Sequence, residues 1–196
     1  MSLRSLTLAL SGLIFASVSA FAGIDLGTPA GYTPYDRYMS PVRQVFGTLH
    51  GQTSDFDRVQ HLLQVGRSFR YSFTDPYVAA SPAVTERTRA GDCKAKSLWL
   101  VNQLGDENVR YVIGKARATS KISHAWVMWY DGSAWWILDP TDSSRPIAAA
   151  KVARNEYIPF YSWARNGSYR HATTALNVAT VASKVKRTPS ATGERH

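Results

Sequence analysis

A single cysteine, with a histidine and an aspartate further along the chain, supplies the side chains that could carry out nucleophilic chemistry. Cys93 is the only cysteine among 196 residues and directly follows a Gly-Asp pair. His124 lies in a His-Ala-Trp-Val run and Asp139 in a Leu-Asp-Pro-Thr run. A cysteine nucleophile, a histidine base and an orienting aspartate form a catalytic triad. Since a lone cysteine is more often a small buried apolar residue, its surroundings must decide between the two interpretations.

The residues around Cys93 predict that it lies at the start of a helix. Apolar residues recur at helical spacing from Lys94 to Leu104, and the preceding Gly-Asp pair suits a tight turn. The positive end of a helix dipole stabilises a thiolate, and the backbone N–H groups there can form an oxyanion hole. Tyr71 is a candidate for a second oxyanion donor, and a strand tyrosine facing the core is the alternative.

Two aromatic-rich strands are predicted to bring His124 next to Asp139. Residues 124–130 and 133–138 are separated by an Asp-Gly pair, which is typical of a two-residue hairpin loop. That register places His124 directly opposite Asp139, and opposed residues have Cβ atoms about 5 Å apart on one side of the sheet. Asp142 competes for the orienting role, but it follows the proline after Asp139 and lies outside the paired strand. The register therefore favours Asp139.

The remaining pattern predicts an α+β fold, because helical and strand periodicities both occur along the chain. The predicted helices cover residues 54–65, 82–90 and 94–104, with a short helix over 147–154, and the predicted strands cover residues 69–73, 110–116, 124–130 and 133–138.

The motifs around the three candidate residues resemble those of the transglutaminase-like superfamily of papain-like enzymes, over about residues 54–142. The resemblance implies a catalytic cysteine at the N-terminus of a helix packed on an antiparallel sheet. It also implies that Cys93 is the nucleophile, His124 the base and Asp139 the orienting acid. The superfamily contains peptidases, transamidating enzymes, deamidases and members without catalysis, so the motifs leave the reaction open.

One departure from this resemblance concerns calcium. Many relatives, including calcium-dependent bacterial cysteine peptidases of the periplasm, have acidic residues directly after the cysteine, whereas Lys94 and Lys96 follow Cys93 here. Calcium needs several oxygen ligands, so we expect no metal and no cofactor at the site. The other histidines lack ligand-like spacing, and surface or helix positions are expected for His50, His61, His171 and His196.

Two classes of function follow from these observations. The first is an exported cysteine hydrolase or acyltransferase that acts on amide bonds of proteins or peptides through a thioester acyl-enzyme. The second is a catalytically silent module of the same fold, with an aromatic recognition surface made of Trp126, Trp129, Trp135 and Trp136.

The chain divides into four predicted segments. Residues 1–22 read as a signal peptide, because Arg4 precedes an uncharged apolar run and an Ala-Phe-Ala sequence precedes the cleavage site. An uncleaved N-terminal anchor is the alternative. Residues 23–53 are expected to be irregular, residues 54–172 to form the transglutaminase-like domain, and residues 173–196 to form a flexible tail.

The export signal and the charge predict where the protein acts and what it meets. We expect a periplasmic or extracellular protein with no stable membrane insertion after signal cleavage. A net charge of +9 would suit attraction to anionic envelope surfaces, but the charge is spread along the chain, and solubility is the favoured explanation. No nucleic-acid-binding motif accompanies this charge, so a nucleic-acid partner is not expected. A single cysteine also implies a fold that does not depend on disulfides.

Overall fold

The computed structural model describes residues 25–51, 53–75 and 77–172. The described residues form nine strands and four α-helices, in agreement with the α+β fold expected from the sequence. The strands are β1 (Thr28–Ala30), β2 (Arg70–Tyr71), β3 (Ala90–Gly91), β4 (Val109–Arg117), β5 (His124–Tyr130), β6 (Trp135–Leu138), β7 (Ile147–Ala148), β8 (Glu156–Ala164) and β9 (Gly167–Arg170), and the helices are α1 (Ser40–Gly47), α2 (Phe56–Ser68), α3 (Pro82–Thr88) and α4 (Cys93–Leu104).

Seven of the strands form one antiparallel sheet, and the helices pack around α4 on one of its faces. The strand order is β1-β9-β8-β4-β5-β6-β7, and β2 and β3 form a separate parallel pair. The main core contains side chains of α1, α2 and α4 together with those of β4 and β5. A smaller cluster on the opposite face contains Val112, Trp126, Met128 and Ile137.

Helix α4 is the central element of the core. Ten of its twelve residues are buried, because α1, α2 and α3 contact it on one side and β4 and β5 on the other. Asp92 caps its N-terminus by accepting the N–H groups of Lys94 and Ala95, and Gly105 ends it in the left-handed conformation with φ of 63°. The cap fixes the first helical residue as Cys93, one residue earlier than the sequence pattern predicts.

The expectation of an irregular segment over residues 23–53 is wrong for its described part. Strand β1 pairs with β9, and α1 buries Val42, Val45 and Phe46 in the main core. The local sequence is rich in Gly and Pro, but the partners of this segment lie far along the chain, so its order comes from tertiary contacts.

Other boundaries also differ from those predicted. The segment 69–73 contains only the two-residue strand β2, and residues 147–154 form β7 and a short 3-10 helix, Ala149–Lys151, instead of an α-helix. The predicted signal peptide, 1–22, and the predicted tail, 173–196, lie outside the described residues. Among the residues that are described, no helix has the length and apolar character needed to cross a membrane.

His171 is buried at the end of β9, and the expected surface or helix position is therefore wrong. Its Nδ1 atom lies 2.9 Å from the backbone oxygen of Asp25, and its Nε2 atom lies 2.9 Å from the hydroxyl of Ser162. Burial disfavours the charged ring and lowers the pKa of His171 below 6.5. The residue thus connects the N-terminal segment to β8 in its neutral form.

The burial of His171 predicts that its contribution to stability is lost in mild acid. Because the folded-state pKa of His171 is depressed, this contribution is present above the unfolded value of about 6.5 and is lost as the pH falls further. The raised pKa of His124 gives an opposite pH dependence in the same range, so the test compares two chains that share His124. We expect His171→Gln to be less stable than the parent chain at neutral pH, and the difference in the free energy of unfolding, measured by urea titration, to shrink between about pH 7 and pH 5. His61→Gln, which changes an exposed histidine of α2, should keep the dependence of the parent chain, and an unaltered slope in His171→Gln would contradict the assignment.

Candidate active site

Cys93 begins α4, and the residues directly before and after it, Asp92 and Lys94, form a buried ion pair. The Asp92 carboxylate is fully buried and lies 2.5 Å from the ammonium of Lys94. Thr74 donates to the same carboxylate through its hydroxyl and its backbone N–H. Burial opposes ionisation of Asp92, but hydrogen bonds from Lys94, Ala95 and Thr74 outweigh it and lower its pKa. The nucleophile candidate therefore follows a rigidly held residue.

His124 and Asp139 meet beside Cys93, so the structure brings together the three residues that the sequence singled out. The Nε2 atom of His124 lies 2.7 Å from Oδ2 of Asp139, and the Cys93 thiol is close enough to the His124 ring to raise its pKa. Burial lowers the pKa of His124, but the Asp139 carboxylate and the nearby Cys93 outweigh it and raise the pKa from 6.5 to about 10. The imidazolium form is thus favoured at neutral pH.

The hairpin register that predicted this contact is shifted by two residues. Tyr130 pairs with Trp135 instead of Ser133, and Val127 pairs with Leu138. The loop extends over residues 131–134 because the Asp131 carboxylate accepts the N–H groups of Ser133 and Ala134. A shift of two residues keeps every side chain on its own face of the sheet. His124 and Asp139 therefore remain on one face and meet diagonally instead of directly.

The Asp139 carboxylate is fully buried and accepts four hydrogen bonds. His124 and the Tyr157 hydroxyl contact Oδ2, at 2.7 Å and 3.1 Å. The backbone N–H groups of Thr141 and Asp142 donate to Oδ1, at 2.9 Å and 3.3 Å. Asp142 itself is exposed, and it donates to this carboxylate through its backbone N–H. The hydrogen bond of His124 goes to Asp139.

Two tyrosines near the site differ from what the sequence suggested. Tyr157 was not singled out, because it lies 18 residues after Asp139 on β8, and β8 is not a neighbour of β6 in the sheet. Tyr71 is 49% exposed, so the alternative of a core-facing tyrosine is wrong. Burial of part of its ring, followed by the nearby Cys93 and Asp92, raises the pKa of Tyr71. Its phenol therefore stays protonated and able to donate close to Cys93.

The four tryptophans considered as a recognition surface are largely internal. Trp126 is 0% exposed and Trp129 is 1% exposed, and they belong to clusters on opposite faces of the sheet. Trp135 and Trp136 are partly buried against the same two clusters. Trp126 and Trp129 thus act as core, which leaves the partly exposed Trp135 and Trp136 as the part of the proposed recognition surface that is open to solvent.

Comparison with known proteins identifies the fold. No family model matches the chain, and no curated protein matches it significantly. Among solved structures, LapG of Legionella pneumophila superposes with a TM-score of 0.50 and 18% identity, over 72% of this chain and 83% of LapG. Its calcium-bound structure gives a TM-score of 0.50 and 19% identity, over 65% of this chain and 74% of that one. The chain has the transglutaminase-like fold, and the resemblance carried by the three motifs is confirmed at that level.

Because one LapG structure contains calcium, the fit of the present site to a cation can be considered. Within the described part of the chain, ligand atoms of His124, Asp139 and Asp142 lie within 4.8 Å of one another. However, His124 and Asp139 are bonded to each other, and both oxygens of Asp139 already accept protein donors. A cation there would have to displace these hydrogen bonds.

The carboxylate beside Cys93 is also fully engaged. Both oxygens of Asp92 accept hydrogen bonds, and the buried ammonium of Lys94 already supplies the positive charge that a cation would bring. The rings of Phe73 and Tyr77 lie 5.3 Å and 5.0 Å from the same ammonium. These residues do not fit a calcium ion, which requires six or more oxygen ligands.

We therefore predict that stability does not depend on calcium and does depend on Lys94. Melting temperatures measured in EGTA and in calcium should agree, and a substantial drop in EGTA would contradict the assignment. Lys94→Met should lose about 3–5 kcal/mol of unfolding free energy, because it leaves the buried carboxylate of Asp92 without its partner. Lys151→Met, which removes an exposed lysine, is the matched control and should change stability by less than about 0.5 kcal/mol.

Proposed function

We propose that this protein is an exported cysteine peptidase or related acyltransferase that acts on amide bonds of proteins or peptides. The observation that carries the proposal is the hydrogen bond between His124 and Asp139 beside Cys93, which begins α4. The transglutaminase-like fold supports it, because that fold places a reactive cysteine at a helix N-terminus. The predicted signal segment, residues 1–22, supports export to the periplasm or the extracellular space.

The proposed reaction begins with attack by the Cys93 thiolate on the carbonyl carbon of an amide. His124, which is favoured as an imidazolium, stabilises the thiolate and then gives its proton to the leaving amine. The carbon–nitrogen bond breaks and a thioester links the substrate acyl group to Cys93. Neutral His124 next removes a proton from water or from a second amine, which attacks the thioester and releases Cys93. Water gives hydrolysis, and an amine gives transamidation.

The negative charge that develops on the substrate oxygen needs fixed donors. We assign this role to the backbone N–H of Cys93, at the positive end of α4, and to the hydroxyl of Tyr71. Tyr71 pairs with Gly91, two residues before the nucleophile, and nearly half of its surface is open to solvent. It can therefore reach a bound substrate, whereas a buried phenol could not.

Thiol reactivity provides the first test, because it needs no knowledge of the substrate. In the proposed enzyme, His124 activates the Cys93 nucleophile, and iodoacetamide should label it rapidly near pH 6. His124→Ala should suppress that labelling, and His61→Ala should not. The reaction can be followed by mass spectrometry of the intact protein. A slow reaction that accelerates only in alkaline solution would favour the catalytically silent module.

Turnover provides the second test, with casein, peptide amides and an amine acceptor as the substrate panel. Cys93→Ala should abolish turnover while changing stability by no more than about 1 kcal/mol. His124→Ala should be nearly as damaging, because thiolate formation and protonation of the leaving group are both lost. Asp139→Asn should reduce kcat less severely, since an amide can hold the ring but cannot stabilise its cation.

Asp142→Asn is the matched control for the orienting carboxylate. Its side chain is exposed, and the hydrogen bond that it gives to Asp139 comes from its backbone, so kcat should stay close to that of the parent enzyme. If Asp142→Asn is the crippling change and Asp139→Asn is silent, the orienting role must be reassigned.

A further inference from the structure

The Tyr157 hydroxyl shares an acceptor with the proposed catalytic base. It donates to Oδ2 of Asp139 at 3.1 Å, the same oxygen that lies 2.7 Å from His124. Burial, followed by the adjacent Asp139 carboxylate, raises the pKa of Tyr157, so the phenol remains a hydrogen-bond donor at any pH at which the protein is folded. One carboxylate oxygen is thus held from two sides, by β5 and by β8.

The backbone of Tyr157 is in a conformation that large side chains rarely adopt. Its φ angle is +42°, and among the described residues the other non-glycine residue with positive φ is Arg89, at the C-terminal cap of α3. A helix cap commonly uses this conformation, whereas an aromatic residue within a strand does not. Such strain costs about 1–3 kcal/mol and persists only where surrounding contacts impose it. The contacts around the ring should therefore be specific.

Those contacts connect Tyr157 to the base by a second route. The Tyr157 ring packs edge-on against Trp126, with centroids 5.5 Å apart, and Trp126 stacks on His124 at 6.2 Å. Gly114 of β4 pairs with His124 on one side and faces β8 on the other. A Cβ atom at Gly114 would lie 2.1 Å from the Ile158 oxygen and 2.7 Å from the Trp126 ring. Because Gly114 has no side chain, β8 can lie close enough to β4 for the Tyr157 hydroxyl to reach Asp139.

We propose that Tyr157 is a positioning residue of the triad, which acts through Asp139 and does not touch the substrate. The inference rests on the function proposed above. The hydroxyl fixes Oδ2 in line with His124 and accommodates part of its negative charge. Asp139 then holds the imidazolium firmly enough to orient it, but not so firmly that transfer of its proton to the leaving amine is slowed.

The role predicts how His124 responds to loss of the hydroxyl. The charged or titratable groups around its ring are Cys93 of α4, Asp139 and Asp142 after β6, Tyr157 of β8 through Asp139, and Lys96 of α4 near the two aspartates. In Tyr157→Phe, Oδ2 loses its second donor and attracts the imidazolium more strongly. The pKa of His124 should therefore rise above its value of about 10 in the parent chain, and the proton should be donated more slowly.

The decisive experiment compares Tyr157→Phe with Tyr130→Phe, whose hydroxyl contacts the Gly132 oxygen away from the site. Phenylalanine keeps the packing on Trp126, so melting temperatures should show that both variants fold. We expect kcat of Tyr157→Phe to fall about tenfold with KM nearly unchanged, as for loss of one hydrogen bond to a charged group. The titration midpoint of the His124 ring, followed by NMR, should move to higher pH in Tyr157→Phe alone.

A double-variant cycle separates positioning from a merely structural role. If Tyr157 acts through Asp139, adding Tyr157→Phe to Asp139→Asn should lower kcat no further, whereas independent effects would multiply. Multiplying effects, or an unchanged His124 titration in Tyr157→Phe, would overturn the inference. If no substrate is turned over but the His124 midpoint still shifts, the proposed function fails and the positioning role stands.

Discussion

The buried carboxylate of Asp139 is the charge on which the arrangement of the rest of the site depends. A charged group removed from water and left without partners costs several kcal/mol, so the fold must bring donors to it. It does so from three directions: His124 at the start of β5, Tyr157 on β8, and the backbone of the turn at residues 141–142. The same requirement accounts for two local irregularities, because the β4–β8 register shifts at Gly114 and the Tyr157 backbone adopts a positive φ angle. Both allow a phenol to reach the carboxylate.

A second buried charge organises the other half of the site. Helix α4 is buried almost throughout, yet it carries two lysines in its first turn. Lys94 pairs with Asp92 and so holds the turn that precedes Cys93. The ammonium of Lys96 lies 3.3 Å from the backbone oxygen of Pro140, directly after Asp139, and burial lowers its pKa. The two lysines therefore connect the N-terminus of α4 to the turn before Cys93 and to the segment that follows Asp139. One LapG structure of the same fold contains calcium. In the present chain the ammonium of Lys94 already supplies positive charge beside Asp92.

The hairpin illustrates how a register error can leave a contact prediction intact. The Asp-Gly pair suggested a two-residue loop, but the Asp131 carboxylate accepts N–H groups within the turn and enlarges it by two residues. An even shift preserves the alternation of faces, so His124 and Asp139 stay on the same side. An odd shift would have separated them. The contact could thus be predicted from strand periodicity, while the exact pairing could not, because a side chain within the loop decided it.

The sequence by itself determined the features that depend on near neighbours. The Gly-Asp-Cys turn, the apolar spacing of α4 and the alternation of the two hairpin strands were sufficient to place Cys93, His124 and Asp139 and to indicate the α+β class. Tertiary structure alone decided the features whose partners lie far along the chain. Strand β1 is ordered by β9, His171 is buried between Asp25 and Ser162, and Tyr157 reaches Asp139 across strands that are not adjacent. The physical reason is that periodicity and capping act over a few residues, whereas burial of a polar group can be satisfied by any donor that the whole fold brings within hydrogen-bond distance.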